Sequence, residues 1–91
     1  MAPRTFNITD GPNKPTLQKA LMMPEEVTAH FQIEGEGLDV TILSMEEQPD
    51  GFSFKLEGRV ASGTMKGASF RAIYGIEGRS GSMAIEQVGT P

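Results

Sequence analysis

Few residues in this 91-residue chain carry catalytic or metal-binding chemistry. His30 is the single histidine and cysteine is absent, so a transition-metal site would need carboxylates around one imidazole. A serine nucleophile would also have to use His30 as its base, and no serine lies in a nucleophile-elbow pattern. Because His30 occupies a polar position of a predicted strand, we interpret it as a solvent-facing side chain.

Three carboxylate pairs are the remaining candidates for acid–base chemistry: Glu25 with Glu26, Glu34 with Glu36, and Glu46 with Glu47. Such a pair catalyses proton transfer only when a pocket shifts the pKa of one member. These pairs flank predicted turns or strand ends, where water keeps both side chains ionised. We therefore expect no catalytic residue, no bound metal and no cofactor, and we predict that the protein is not an enzyme.

Three basic side chains, Lys55, Arg59 and Arg71, could share one sheet face and thus favour nucleic-acid binding. Phe70 and Tyr74, however, have the opposite parity from Arg71, so they are predicted to point inward rather than to stack on bases. The net charge is −4, while attraction to phosphate supplies most nonspecific nucleic-acid affinity. We do not expect a nucleic-acid partner.

The acidic residues are concentrated in one part of the chain, since residues 20–54 contain no lysine or arginine. The charged residues of the segment 55–79 are mainly basic. Two interpretations stay open. Acidic and basic strands can pair side by side, which is mildly favourable across a ladder, or the acidic residues can form a patch that docks on a basic partner.

The elements that position these residues centre on a predicted β-hairpin. Residues 38–45 and 52–60 alternate between apolar and polar side chains, which is typical of half-buried strands. The turn between them contains Pro49, Asp50 and Gly51, residues that favour a chain reversal.

The leading strand of this hairpin is irregular. Its first apolar residues share one face, but Leu43 and Met45 fall on the other face. Either a β-bulge near Leu43 rotates the strand, or the second face is covered as well.

The remaining segments predict a small β-rich domain. Residues 16–23 form the helical candidate, capped by Asn13 or Thr16 and stopped by Pro24. Further strands are predicted from Val27, over 65–76 and over 82–88, although a helix starting at Pro24 competes with the first of these.

We predict an α+β, mostly β fold: a five-stranded antiparallel, strongly curved meander or partly closed barrel with one short N-terminal helix. Strand glycines Gly58 and Gly75 favour this curvature, because glycine within strands marks bulges and bends. The predicted organisation is an extended N-terminal segment over 1–15 and a single domain over 16–91.

The predicted function is a small non-catalytic interaction module, of the accessory-subunit or inhibitor type, that forms a homo-oligomer or binds a protein partner through a sheet face. Its predicted contact residues are Met22, Met23, Leu43, Met45, Glu46, Glu47 and Ile73. The alternative is a barrel that binds a small lipid or nucleotide and is lined by Phe31, Phe52, Phe54, Phe70 and Tyr74.

The first residues lack the apolar segment of a signal peptide, and no apolar run has the length of a membrane span. We expect a cytoplasmic protein without membrane contact.

Overall fold

A computed structural model describes residues 4–22, 26–77 and 80–89. Its strands and helix are β1 (Arg4–Asp10), α1 (Lys14–Leu21), β2 (Val27–Ile33), β3 (Glu36–Glu47), β4 (Ser53–Val60), β5 (Ser69–Glu77) and β6 (Ser80–Val88). Each strand pairs antiparallel with the next, and β1 also pairs with β6, so the sheet closes into a barrel. Among the described residues, no helix is long and apolar enough to cross a membrane.

The predicted class, mostly β with one short helix and an antiparallel curved sheet, is confirmed, but the strand count is six rather than five. The additional strand is β1, which lies within the predicted N-terminal segment 1–15. It pairs with β6 from Arg4 opposite Ile85 to Ile8 opposite Gly81. A short polar strand of this kind has a weak local signal, because the partner that stabilises it lies far away along the chain.

The first hairpin, β2–β3, has a tight turn whose central residues are Glu34 and Gly35. Both have positive φ values, 48° and 93°, which is the pattern of a type I′ turn. The segment Val27–Ile33 is a strand, so the alternative of a helix here is not realised. The turn sets the register of the whole hairpin, in which Ile33 lies opposite Glu36 and Val27 opposite Ile42.

The barrel interior is filled by side chains that alternate inward along all six strands. The Phe31 and Tyr74 rings meet edge to face with centroids 5.0 Å apart. An eight-stranded barrel is just wide enough for side chains to fill, and six strands enclose less space. The buried apolar residues are Ile8, Leu17, Ala29, Phe31, Val40, Ile42, Phe54, Leu56, Val60, Ala68, Phe70, Ala72, Tyr74 and Met83.

Of the two alternatives for the irregular leading strand, the structure shows the β-bulge near Leu43 in β3. Ile42 lies opposite Gly58 and Ser44 lies opposite Glu57, so Leu43 is the extra residue between two ladder pairs. The bulge returns Met45 to the inner face, where it packs against the core. At Gly58 an added Cβ would overlap the backbone oxygen of Thr41, so the bulged strands approach too closely for any other residue.

Helix α1 covers one end of the barrel and begins two residues before the predicted start. Asn13 caps it: its Oδ1 accepts hydrogen bonds from the Thr16 N–H, at 2.9 Å, and from the Thr16 hydroxyl. Leu17 is fully buried, while Lys14 donates to the carbonyl of Gly51 in the β3–β4 turn. The helix therefore closes one end of the barrel and does not lie on the outer face of the sheet.

The ladder between β1 and β2 is the shortest of the barrel. Among the described residues it holds only Ile8 opposite Ile33 and Asp10 opposite Gln32, with an irregular register between them. Pro12, two residues beyond Asp10, has no N–H with which to continue the ladder. Its carbonyl instead accepts a hydrogen bond from the Tyr74 hydroxyl, at 2.9 Å. At this point the chain leaves the ladder and turns toward the end of the barrel that helix α1 covers.

The predicted starts of β4 and β5 are wrong, and β3 and β6 each begin two residues before their predicted starts. Strand β5 begins at Ser69 rather than at residue 65, because Gly63 and Gly67 have positive φ and the residues between them form a turn. Phe52, which was predicted to point inward, precedes β4 and is 52% exposed. The Asp50 carboxylate accepts hydrogen bonds from the N–H groups of Phe52 and Ser53. These bonds fix the turn in an orientation that leaves the Phe52 ring outside the barrel.

Candidate interaction surface at the Leu43 bulge

Leu43 and the end of helix α1 form an exposed apolar area on the outside of the barrel. Leu43 is 52% exposed and Met22 is 86% exposed, and Leu21 is exposed as well. Large apolar side chains that share one surface indicate a contact site. Leu21 and Leu43 line one groove, and Met22 directly follows Leu21 in the chain; we call these three residues the Leu43 surface.

The structure brings together some of the predicted contact residues and separates others. Leu43 and Met22 are exposed at the Leu43 surface, whereas Met45 is half-buried and packs against the core. Ile73 is half-buried on the outer face opposite Lys55, away from the helix. Met23 lies outside the described residues.

The two predicted acidic contact residues lie at the end of β3. Glu46 is opposite Lys55 on the outer face, whereas Glu47 accepts a 3.0 Å hydrogen bond from Gln18 of helix α1. Glu57 of β4 lies opposite Arg71 of β5. This register agrees with the interpretation that acidic and basic strands pair side by side. Docking of an acidic patch on a basic partner stays a prediction.

A groove of about 280 Å³ separates the end of helix α1 from β3. Six of its seven lining residues have apolar side chains, but polar atoms make up the larger part of its accessible wall. We call it the helix groove; its lining residues are Ala20, Leu21, Val27, Ile42, Leu43, Ser44 and Met45.

A second groove of about 280 Å³ lies on the other side of Leu43, across the outer faces of β3, β4 and β5. Arg59 and Arg71 give it a basic character, which Glu57 partly offsets. We call it the arginine groove. The sequence placed both arginines on one sheet face, but their position beside Leu43 depends on the bulge and could not be read from the sequence.

The remaining polar cluster joins β2, β3 and the loop after β4. The Gln32 amide donates to His30 Nε2 at 2.9 Å, which leaves Nδ1 to carry the proton toward Asp39, 2.5 Å away. The Ser62 hydroxyl donates to the second oxygen of Asp39 at 2.9 Å. The hydrogen bonds from His30 and Ser62 hold the pKa of Asp39 below its usual value.

This cluster does not have the geometry of a serine catalytic triad. Ser62 donates to Asp39 rather than to His30, so no base is placed to remove its proton. His30 is largely exposed to solvent, as the sequence predicted. Within the described residues, no group of three or more His, Cys, Asp or Glu side chains is arranged to hold a metal ion.

Four of the five predicted ligand-lining aromatic residues, Phe31, Phe54, Phe70 and Tyr74, are buried in the barrel core. Phe52 is exposed and does not line the interior. The four inner rings pack against aliphatic side chains in a narrow barrel, so they act as core residues. Binding of a lipid or nucleotide inside the barrel stays a prediction, and the packing does not favour it.

Comparison with protein families, curated proteins and solved structures adds no relative to this picture: no family model, curated protein or solved structure matched the chain.

Proposed function

We propose that the protein is a small non-catalytic interaction module, of the accessory-subunit or inhibitor type, that self-associates through the Leu43 surface. The observation that carries the proposal is the position of Leu43 itself. The bulge turns this side chain outward and places it between the helix groove and the arginine groove, with half of its surface in water.

A projecting side chain beside a groove is complementary to a second copy of the same surface. In a two-fold contact each subunit presents the same patch, so Leu43 of one copy can enter the helix groove of the other. Burial of a leucine side chain contributes about 1.5–3 kcal/mol, and the symmetry provides this gain twice. The exposed Met22 adds a flexible apolar contact that adapts to the opposing surface.

The charges around the Leu43 surface are compatible with a second copy. Glu46 and Lys55 lie opposite each other, and so do Glu57 and Arg71, so both signs alternate across the strands. Two copies of such a pattern can meet with unlike charges opposite each other, which favours a specific orientation.

Replacing Leu43 by aspartate tests the proposal. Leu43→Asp should raise the dissociation constant of the self-associated protein at least about tenfold, because the loss of leucine burial and the added charge both weaken the contact. Sedimentation velocity over a range of protein concentrations measures this constant. Phe52→Asp is the matched control, since Phe52 has the same exposed fraction as Leu43 but lines neither groove.

Two results would contradict the proposal. If the wild-type protein sediments as a monomer at every concentration, the proposed self-association is wrong. An assembly that Leu43→Asp weakens no more than Phe52→Asp would place the contact elsewhere on the barrel.

A further inference from the structure

The short β1–β2 ladder leaves part of β2 without a neighbouring strand. On its β3 side β2 is paired along its whole length, from Val27 to Ile33. On its other side only Gln32 and Ile33 have partners, both in β1. No strand of the described chain pairs with residues 27–31 on this side. The closed barrel therefore retains a short open edge.

The β2–β3 turn determines which backbone groups point toward that edge. In a two-residue hairpin the flanking residues, here Ile33 and Glu36, form a hydrogen-bonded pair, and such pairs recur at every second residue. Residues 27, 29, 31 and 33 therefore bond to β3, and the N–H and C=O groups of Thr28 and His30 point the other way. Among the described residues, no backbone hydrogen bond outside the sheet ladders reaches Thr28 or His30.

Helix α1 does not cover this edge. Its hydrogen bonds go to Glu47 at the end of β3 and to Gly51 in the following turn. Near β2 the helix reaches Val27, through the helix groove. The segment around Pro12 could also cover the edge. It turns instead toward the end of the barrel, where the Pro12 carbonyl accepts a hydrogen bond from Tyr74.

We propose that the open edge of β2 pairs antiparallel with the same edge of a second copy, about a two-fold axis at Ala29. In this register Thr28 lies opposite His30 of the second copy, and His30 lies opposite Thr28. Each of these pairs exchanges two N–H···O=C bonds, as a hydrogen-bonded antiparallel pair does. The register satisfies all the edge-facing backbone groups of both residues.

The edge suits a second copy because its own residues, 27–31, do not oppose self-pairing; the exposed Glu26 directly precedes them. Residues 27–33 contain no lysine, arginine, aspartate, glutamate or proline, the residues that natural edge strands use against pairing. The side chain at the proposed axis, Ala29, is small, so two strands can approach there. Val27 belongs to the helix groove and directly precedes the edge, so edge pairing and the Leu43 surface can belong to one contact.

This inference rests on the proposed self-association and specifies where the two copies meet. A disulfide experiment tests the register directly, because the chain has no cysteine of its own. In a hydrogen-bonded antiparallel pair the Cα atoms lie about 5.5 Å apart, within the range of about 4.4–6.8 Å that a disulfide spans.

An equimolar mixture of the Thr28→Cys and His30→Cys proteins should therefore form a covalent dimer under mild oxidation, measured on non-reducing gels. Either variant alone should form at least about fivefold less, because the diagonal distance between like residues exceeds the range that a disulfide spans. A mixture of Thr28→Cys with Thr64→Cys, in the exposed loop after β4, controls for random collision.

Thr28→Pro tests the hydrogen bonds themselves. Proline removes an N–H that points away from β3, a substitution that edge strands tolerate, so the barrel should keep its circular dichroism spectrum. The dissociation constant should rise at least about tenfold, since each dimer loses two backbone bonds. Thr28→Val retains the N–H and the branched Cβ, and it should associate as the wild type does.

The outcomes separate this inference from the proposed function. Equal cross-linking in all mixtures, or a folded Thr28→Pro protein that associates like Thr28→Val, would overturn edge pairing. If Thr28→Pro does not fold, the cross-linking result decides. Dissociation by Leu43→Asp with no effect of Thr28→Pro would overturn edge pairing alone, and the reverse result would overturn the Leu43 surface alone. A strictly monomeric wild type would overturn both.

Discussion

At the scale of single residues, one glycine allows the wall of the barrel to bend at the proposed contact surface. Gly58 lies opposite Ile42, immediately before the extra residue of the bulge. An added Cβ would overlap the backbone oxygen of Thr41, and that backbone is itself held in the β2–β3 ladder opposite Thr28. The obstacle is therefore main chain, which cannot rotate aside as a side chain can.

Gly58→Ala should lower the free energy of unfolding by about 2–4 kcal/mol, because the two strands must separate to admit the methyl group. Urea denaturation followed by circular dichroism measures the change. Gly75→Ala is a matched control in the neighbouring strand, since its new methyl group would meet the Ser82 hydroxyl at 3.2 Å, and a serine side chain can rotate. Equal losses of unfolding free energy in the two variants would show that the close approach of Gly58 to the Thr41 backbone does not set the cost of the substitution.

Residue patterns indicated the irregularity at Leu43, with a bulge as one of two explanations, but did not indicate the His30–Asp39 contact. The change of face at Leu43 is visible in the sequence, since three apolar residues at period two are followed by two of opposite parity. The contact between His30 and Asp39 depends on their being opposite each other in the hairpin. That register follows from the type I′ turn, in which Glu34, a residue that rarely adopts positive φ, occupies the first central position.

At the scale of elements, helix α1 acts as a closure for the end of the barrel. An eight-residue helix is too short to be stable alone, so it depends on its cap at Asn13 and on the burial of Leu17. Leu17 and Leu21, four residues apart, form an apolar stripe on one face of the helix, and Leu21 remains exposed at the Leu43 surface. One stripe therefore serves two purposes, the core at its start and the proposed contact at its end.

Truncation of these two leucines should separate the two purposes. Leu17→Ala should lower the free energy of unfolding by about 2–5 kcal/mol, because it leaves a cavity under the barrel. Leu21→Ala should cost less than about 1 kcal/mol in dilute, monomeric protein, because its side chain is already partly in water. Thermal or urea unfolding at low concentration measures both, and similar losses would contradict the closure role of Leu17.

The order of the strands explains why the edge of β2 was not visible from the sequence. The pattern of β2 predicts a half-buried strand and contains nothing about its neighbours. The edge stays open because Pro12 ends the β1–β2 ladder and its carbonyl binds Tyr74, a contact between distant parts of the chain. Contacts of this kind require knowledge of the closed barrel.

At the scale of the whole molecule, closure of the barrel depends on β1. The strand connects β6 to β2, and Ile8 is buried in the common core. Without β1, the edges of β2 and β6 would both be exposed and the core would open on one side. This dependence gives residues 4–10 a structural role that their polar composition does not indicate.

Removal of residues 1–10 should therefore abolish cooperative unfolding. Tyr74 is the single tyrosine in a chain without tryptophan, and its ring lies in the core, so its fluorescence reports on the loss of packing. A full-length protein with Thr5→Ser and Asn7→Ser keeps the β1–β6 ladder and should unfold as the wild type does. A truncated protein with an unchanged, sharp transition would show that the remaining strands form a stable domain by themselves.

Sequence patterns predicted the class and the central hairpin, and left the bulge as one of two alternatives, because alternating apolar residues and turn residues are local signals. Two of the predicted contact residues, Leu43 and Met22, are exposed, and their role in a contact stays a prediction. Closure of the barrel and the arginine groove could not be predicted in the same way. Both depend on which strands become neighbours, and only the complete set of ladders determines this.

The pairing of β1 with β6 also has a consequence for the order of events during protein synthesis. Arg4 lies opposite Ile85, so β1 must wait for a partner strand that is synthesised about 80 residues later. At about 5–20 residues per second, β1 remains without this partner for several seconds. Ladders between such distant segments also form slowly. Until then the sheet is open and β1 can pair only through its short ladder with β2, and the barrel closes only after β6 has been translated.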